Sequence, residues 1–322
     1  MMTSLLANKT KRVLPAHLLL SLGLLAGLFL LGQVLAPGFL AAEQIMTILS
    51  LSSFLGILAL GQTLVILSGG EGIDLSIGAM VSLSSVMAAQ IIDKQTANLP
   101  LACLLVVAAG FVVGGVNGLG VTVFRIPPLV MTLAMSSILQ GVALVYTGGQ
   151  PKGGASEFLR TIGTGRTGPF SNMLFVWLLL ASLSILFLRR TRLGSVLYGV
   201  GCNPVTASLS GANSRMVRTM AFAACGAISA LGGVLLLGYT GTAYLDIGSA
   251  YVMPTVAAVV IGGISLAGGS GGYMGVVIGT ITLTTLNSLL LALKMGEGGR
   301  QVVYGLVLLL LLTAYSRKQA SA

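Results

Sequence analysis

Charge is what this chain has least of. Only 7% of its 322 residues are Asp, Glu, Lys or Arg, against 55% hydrophobic. A soluble protein of this length, in one domain or two, carries about 25% charge, so water is excluded as the main solvent. Histidine is almost missing: His17 stands alone near the start of the first apolar run. With no second ligand beside it, it reads as an interfacial residue. The three cysteines, Cys103, Cys202 and Cys225, have neither metal-site nor disulfide spacing. No G-x-x-x-x-G-K-S/T phosphate loop and no H-E-x-x-H occurs, which removes nucleotide hydrolysis and zinc-dependent hydrolysis from the chain itself. Most mid-span charges of the kind that relay protons in carriers are missing too. No aromatic-plus-basic pattern points to nucleic acid, so the net charge of +10 reports orientation and contact with anionic membrane lipid.

What fills the chain is apolar sequence in span-sized lengths. Runs near the roughly twenty residues that cross a bilayer as helix lie at about 14–36, 45–67, 75–92, 99–123, 128–147, 171–188, 217–239, 251–268, 273–293 and 300–316. The expectation is an all-α polytopic membrane protein of about ten transmembrane helices, one domain over 1–322. The first run follows Lys9, Lys11 and Arg12, as a signal peptide would, but exceeds the about 7–15 apolar residues of one and reads as an uncleaved span. Basic residues recur around the central loop (Arg189, Arg190, Arg192, Arg215, Arg218) and at the end (Arg317, Lys318). Basic loops stay inside. Six spans in 13–188 and four in 217–316 then make the 189–218 loop and both termini cytoplasmic. The outside loop from Gly148 to Phe170 departs from the rule, carrying Lys152, Arg160 and Arg166 against Glu157.

Glycine marks the special places. Gly110, Gly114 and Gly118, and again Gly271, Gly275 and Gly279, recur every four residues, a spacing that lets helix backbones approach closely. Two breaks resemble each other: "SGGEGIDLSIGAM" at 68–80 and "IGGISLAGGSGGYMG" at 261–275. Each is a glycine pair, a short polar stretch and a new helix, the trace of an internal repeat. In the first, Asp74 precedes Leu75-Ser76-Ile77 and reads as an N-cap. A carboxylate at bilayer depth costs about 2.5–3.5 kcal/mol on insertion scales, so a deep break would require Glu71 and Asp74 to face water or partners. Cap and pathway both stand.

The 189–218 loop holds a further signal. Asn203 suits an N-cap, Pro204 the first helical position and Gly211 the residue just past the end, so Pro204 to Ser210 reads as a helix of about two turns. So short a helix does not stand alone. The bundle must hold one side and another protein the other; a plain connecting loop is the alternative.

Four ordered segments, "GGEGIDLSIGAM", "FLRTIGTGRTG", "LGSVLYGVGCNPVTASLSGAN" and "PTVAAVVIGGISLAGGSGGYMGVVIGT", resemble the inner-membrane permease subunits of bacterial ABC importers for ribose, xylose, arabinose and related monosaccharides. The same superfamily includes branched-chain amino acid permeases, the second reading. A self-contained secondary carrier is the third, and it predicts solute movement by this chain alone in liposomes. The resemblance implies a non-catalytic subunit of the bacterial inner membrane, without a cofactor of its own, that pairs with a second permease copy. It further implies docking of a cytoplasmic ABC ATPase, which binds the ATP, and delivery of solute by a periplasmic or lipid-anchored substrate-binding protein. On that family pattern Asn203, Pro204, Ala207, Leu209, Ser210 and Gly211 belong to a coupling helix, and Glu71, Asp74, Ser76, Gly262, Gly263 and Ser265 lie near the pathway or its gate. This chain departs from the pattern at Cys202, where a second glycine is usual, and at Ser208, where a basic residue is usual; the docking surface thus suits a particular ATPase. No polar cluster along the sequence is assignable to recognition of sugar hydroxyls.

Overall fold

Hydrocarbon offers no partner to a backbone N–H or C=O, so a buried span must bond its own backbone, and this chain does so with helices. The computed structural model describes residues 16–296, 298–307 and 309. Lys9, Lys11, Arg12, Arg317, Lys318, the His17 side chain and the end of the last expected span lie outside the described residues. In chain order come α1 (Ala16–Leu35), α2 (Ala42–Leu67), α3 (Ile77–Ile92), α4 (Leu99–Thr122), α5 (Pro128–Thr147) and α6 (Glu157–Thr164). A two-stranded hairpin, β1 (Arg166–Thr167) with β2 (Phe170–Ser171), leads to α7 (Asn172–Arg190). Then follow α8 (Arg192–Cys202), α9 (Pro204–Leu209), α10 (Ser214–Thr240), α11 (Val252–Ile261) and α12 (Tyr273–Ala292), and the chain is helical again at 298–307. The all-α expectation is met.

Seven described helices are long and apolar enough to cross a membrane: α1, α2, α4, α5, α7, α10 and α12. At 16 and 10 residues, α3 and α11 fall short of that length. The run expected at 251–268 stops being helical at Ile261, because its last residues are the glycine-rich turn of the second break. Of these seven, two stand at the centre, beside the shorter and largely buried α3. The apolar window of α2 is 83% buried and that of α10 is 72% buried, against 11% for α1 and 22% for α4 and α5. The outer helices present apolar side chains such as Leu104 and Val145 outward, a surface that lipid tails solvate as well as protein does.

The glycine stripes do what their spacing predicts. Gly110, Gly114 and Gly118 of α4 lie against Gly226, Phe222 and Thr219 of α10, so a β-carbon at any of them would strike the α10 backbone. Gly275 and Gly279 bring α12 onto Gly262 and Ala258 in the same way. The lone tryptophan ties three helices together: Trp177 Nε1 donates to Tyr273 Oη at 2.9 Å, and Tyr273 Oη donates to Gly56 O at 2.7 Å.

The bundle has two unlike ends. At one, α8 and α9 meet the end of α2 and the start of α10. The start of α1 is there as well, where Ser21 Oγ donates to Ile261 O at 2.7 Å, and so is the end of α4, where the Thr122 and Thr219 hydroxyls bond at 2.9 Å. At the other end Gly154 N donates to Ala89 O and Ala155 N to Gly241 O, both at 3.1 Å. These bonds anchor the segment leading into α6 to the ends of α3 and α10.

Candidate functional site

The helix expected after Asn203 is present and exposed. Asn203 is extended (φ −156°, ψ 103°), and its Oδ1 accepts from Val205 N at 3.0 Å and Thr206 N at 3.1 Å, which satisfies two of the amides a helix start leaves open. Pro204 occupies the first turn, where its missing N–H is no loss. The helix ends at Leu209, one residue before the expected Ser210, which serves as the C-cap. Gly211 follows at φ +85°, and Ala212 N returns to Ala207 O at 3.0 Å. Ala207 is half-buried, whereas Val205 is 68% and Leu209 85% exposed. An apolar edge therefore projects from the bundle. Ser208 holds the base of α9: its Oγ donates to Pro204 O at 2.7 Å and meets Ser214 Oγ of α10 at 3.0 Å.

Behind α9, α8 joins both glycine-rich breaks. Gly201 packs so closely on Leu67 O and the backbone of Gly269 that a β-carbon there would strike both, and Gly268 lies against Gly69 in the same manner. Gly269 N donates to Leu67 O at 3.1 Å. Two side chains of α8 complete the joint: Tyr198 Oη donates to Gly271 O at 2.8 Å, and Cys202 Sγ donates to Gly269 O at 3.2 Å. Burial pushes the Tyr198 phenol above its ordinary range, partly opposed by Arg189, so it stays a neutral donor. Cys202, a departure from the family pattern, thus bonds the second break. Arg218, at the start of α10, donates from Nη2 to Gly70 O at 3.3 Å.

The structure parts the two carboxylates that the sequence sets side by side. Glu71 is exposed, at φ +55°, while Asp74 is only 2% exposed. Asp74 is not the cap of α3. That position is Ser76, because Leu75 and Ser76 still belong to the turn, and Asp74 closes the turn instead. Its Oδ1 accepts from Ser76 N at 2.8 Å and from Ser76 Oγ at 2.6 Å, short bonds of the charge-assisted kind. Asn117 Nδ2 of α4 donates to Ser76 Oγ at 2.9 Å. From α2 the Gln62 amide faces the Asp74 backbone at 3.3 Å, and with its oxygen and nitrogen exchanged it donates to Asp74 O and accepts from Asp74 N. The Asp74–Ser76 turn therefore meets polar side chains of α2 and α4, and the buried carboxylate fixes the turn from which α3 begins.

The second break has no such centre. Ser265 N donates to Ser270 O at 3.2 Å, Gly268 N to Ser265 O at 2.9 Å and Ala267 N to Ser265 Oγ at 3.3 Å. Gly262 packs on Gly275 and Val276, and Gly263 turns at φ +82°. The expected site residues thus fall into three groups: α9, the Asp74–Ser76 pin, and the turn from Gly262 to Ser265. Sequence reasoning missed Gln62 and Asn117, and it missed α8 altogether. Gln62 and Asn117 did carry a signal, since an amide inside an apolar span needs an internal partner.

No solved structure matches the chain. The ribose import permease protein of Escherichia coli (strain K12) is 33% identical over 297 residues, covering 89% of this chain and 90% of that one. The ribose import permease protein of Bacillus subtilis (strain 168) is 34% identical over 329 residues, covering 99% and 100%. The autoinducer 2 import system permease protein of Salmonella paratyphi B is 32% identical over 282 residues, covering 88% and 81%. A family profile described as branched-chain amino acid transport system / permease component matches residues 44–312. With that profile spanning most of its length, the chain belongs to the family of branched-chain amino acid transport system permease components.

Proposed function

We propose that this chain is the membrane-spanning subunit of an ATP-driven importer that carries a monosaccharide or a closely related small polar solute into the cell. The observation that carries the reading is α9, a capped helix with an exposed apolar edge, joined through Gly201 and Cys202 to both glycine-rich breaks. Likeness to ribose import permeases along nearly the whole chain supports the solute class. The chain is a multi-pass protein of the inner membrane, and its seven long apolar helices support that site. About ten spans with cytoplasmic termini remain the best count, with α3, α11 and the helix at 298–307 supplying the remainder.

In this reading Asn203 to Gly211 enter a cleft of the ATPase, which binds and hydrolyses the ATP. A shift of α9 passes through α8 to Gly69 and Gly268–Gly269, and the bundle opens alternately to either side. Gly262, Gly263 and Ser265 belong to the yielding gate, while Asp74 and Ser76 hold the opposing wall and Glu71 faces solvent. At the far end, Lys152, Arg160 and Arg166 are exposed, an explanation for their departure from the basic-inside rule: they offer a positive face to an acidic substrate-binding protein. A second permease copy completes the pathway.

The test is to purify the chain from its native membrane in mild detergent and identify its companions by mass spectrometry. A co-purifying ABC ATPase is expected. A stable preparation without one, moving solute in liposomes unaided, would overturn the reading in favour of a secondary carrier. The family profile's own description favours a second reading, amino acid import, and uptake of L-leucine in place of sugars by the assembled complex would support it.

A further inference from the structure

Four of the eight tyrosines, Tyr239, Tyr244, Tyr251 and Tyr304, line one partly open cavity of about 260 Å³ between α2, α10, α11, α12 and the 298–307 helix. It lies at the end of the bundle opposite α9, where α10 finishes. Its wall also carries Thr284 and Asn287 of α12, and among the described residues no charged side chain lines it, Arg300 standing behind Asn287. The Tyr251 phenol lies near those of Tyr239 and Tyr244. Tyr239 is held by its ring, 5.0 Å from that of Phe54. Asn287 is held by its oxygen, which accepts from Arg300 Nη1 at 3.2 Å, so that its amide offers N–H donors.

Four tyrosine rings with hydroxyl and amide groups among them, in a wall whose described side chains are uncharged, suit one chemical class. A sugar ring lays its C–H face on an aromatic ring and exchanges hydrogen bonds with phenol and amide. A zwitterionic amino acid would bring a carboxylate and an ammonium for which none of the described lining residues carries an opposite charge, an expensive burial for each ion. The volume falls just below the roughly 300–1,000 Å³ of drug-sized sites, which fits a single ring. We propose that this cavity is where the solute first rests inside the protein after delivery, that it takes an uncharged polyhydroxy ring, and that Tyr239, Tyr251 and Asn287 touch it. The proposal rests on the importer reading above and adds to it the chain's own contact groups.

The experiment uses the complete transporter, with ATPase and binding protein, in proteoliposomes offered radiolabelled D-ribose, D-xylose, L-arabinose or L-leucine. Wild type is expected to take up at least one sugar; uptake of L-leucine alone would overturn both the sugar reading and this site. With the transported sugar, Tyr251→Phe keeps the ring and removes the hydroxyl, and the maximal uptake rate is expected to fall roughly three- to tenfold. The half-saturating concentration, set by the binding protein, should stay put, and Tyr146→Phe on the outer face of α5 should change nothing. As a readout independent of transport rate, Ala250→Cys at the cavity wall should react with a membrane-impermeant thiol reagent, and sugar delivery should slow the reaction. Sugar uptake by wild type together with unchanged rates in Tyr251→Phe and Tyr239→Phe, and labelling indifferent to sugar, would overturn the cavity assignment while leaving the importer intact.

Discussion

Between α2 and α3 the chain turns around a buried carboxylate bonded by Ser76, with Asn117 of α4 behind that serine; between α11 and α12 it turns on backbone bonds and one serine hydroxyl, tied to α8 through Tyr198 and Cys202. The sequences of the two breaks look like copies, yet their mechanical characters differ. In the first, short charge-assisted bonds to Asp74 hold the turn, and breaking any one strands a buried polar group. In the second, Gly263, Gly268, Gly269 and Gly271 all sit at positive φ, where glycine is free to move and other residues are not. Both touch Gly201 or its neighbour Cys202. In the proposed reading a shift of α9 would therefore reach both breaks at one point, and only the first of them is built on a buried carboxylate.

The comparison breaks most completely at the shared joint. A methyl at Gly201 would strike Leu67 O and Gly269 backbone at once, and backbone cannot step aside as a flexible side chain does. Gly201→Ala is expected to destabilise by about 1–3 kcal/mol and to bring uptake near background while the chain still inserts. Solute uptake normalised to inserted protein checks this. Wild-type uptake would mean that α8 does not carry the load.

Next comes the contrast between the breaks themselves. Asp74→Ala leaves the Ser76 amide and hydroxyl without their acceptor in a buried site, and should cost about 1.5–3 kcal/mol. Ser265→Ala removes one 3.3 Å bond in a half-formed turn and should cost at most about 1 kcal/mol. Thermal melting of both variants in the same detergent orders them. Equal losses would erase the distinction between a pinned and a yielding break.

How far the sequence could see follows from the same physics. Spans were legible because a bilayer demands long apolar runs, and α9 because Asn, Pro and Gly stand at a start, a first turn and an end. The limits of α11 were not: the expected run continued to 268 across the Gly262–Gly263 pair that already marked a break, and the folded backbone shows that the helix ends at Ile261. Glu71 and Asp74 looked alike at three residues' separation, and burial alone tells them apart. The tyrosine cavity was out of reach, since Tyr239, Tyr251, Asn287 and Tyr304 come from separate elements and form no local pattern. Gln62 and Asn117 were within reach, as amides in apolar runs.

A smaller effect is expected at Gly211. No atom lies within 4 Å of where its β-carbon would be, so space is no obstacle and only the φ of +85° resists substitution. Gly211→Val should cost about 1–3 kcal/mol locally and uncouple ATPase activity from uptake, whereas Gly211→Asn, which tolerates this conformation, should stay coupled. If both variants transport like wild type, the end of α9 does not need its present shape.

The smallest effect, and the sharpest test of what pins the first break, belongs to Asp74→Asn. The amide oxygen can accept the same bonds from Ser76 N and Oγ that the carboxylate Oδ1 accepts now, so the geometry survives and only the charge goes. Asp74 is buried and lies away from the tyrosine-lined cavity, so position rather than charge is the contribution expected of it. Melting within about 1 kcal/mol of wild type and uptake within about twofold are expected. Intact melting with uptake lost would reverse the comparison, making the first break the one whose charge gates the path and the second merely its hinge.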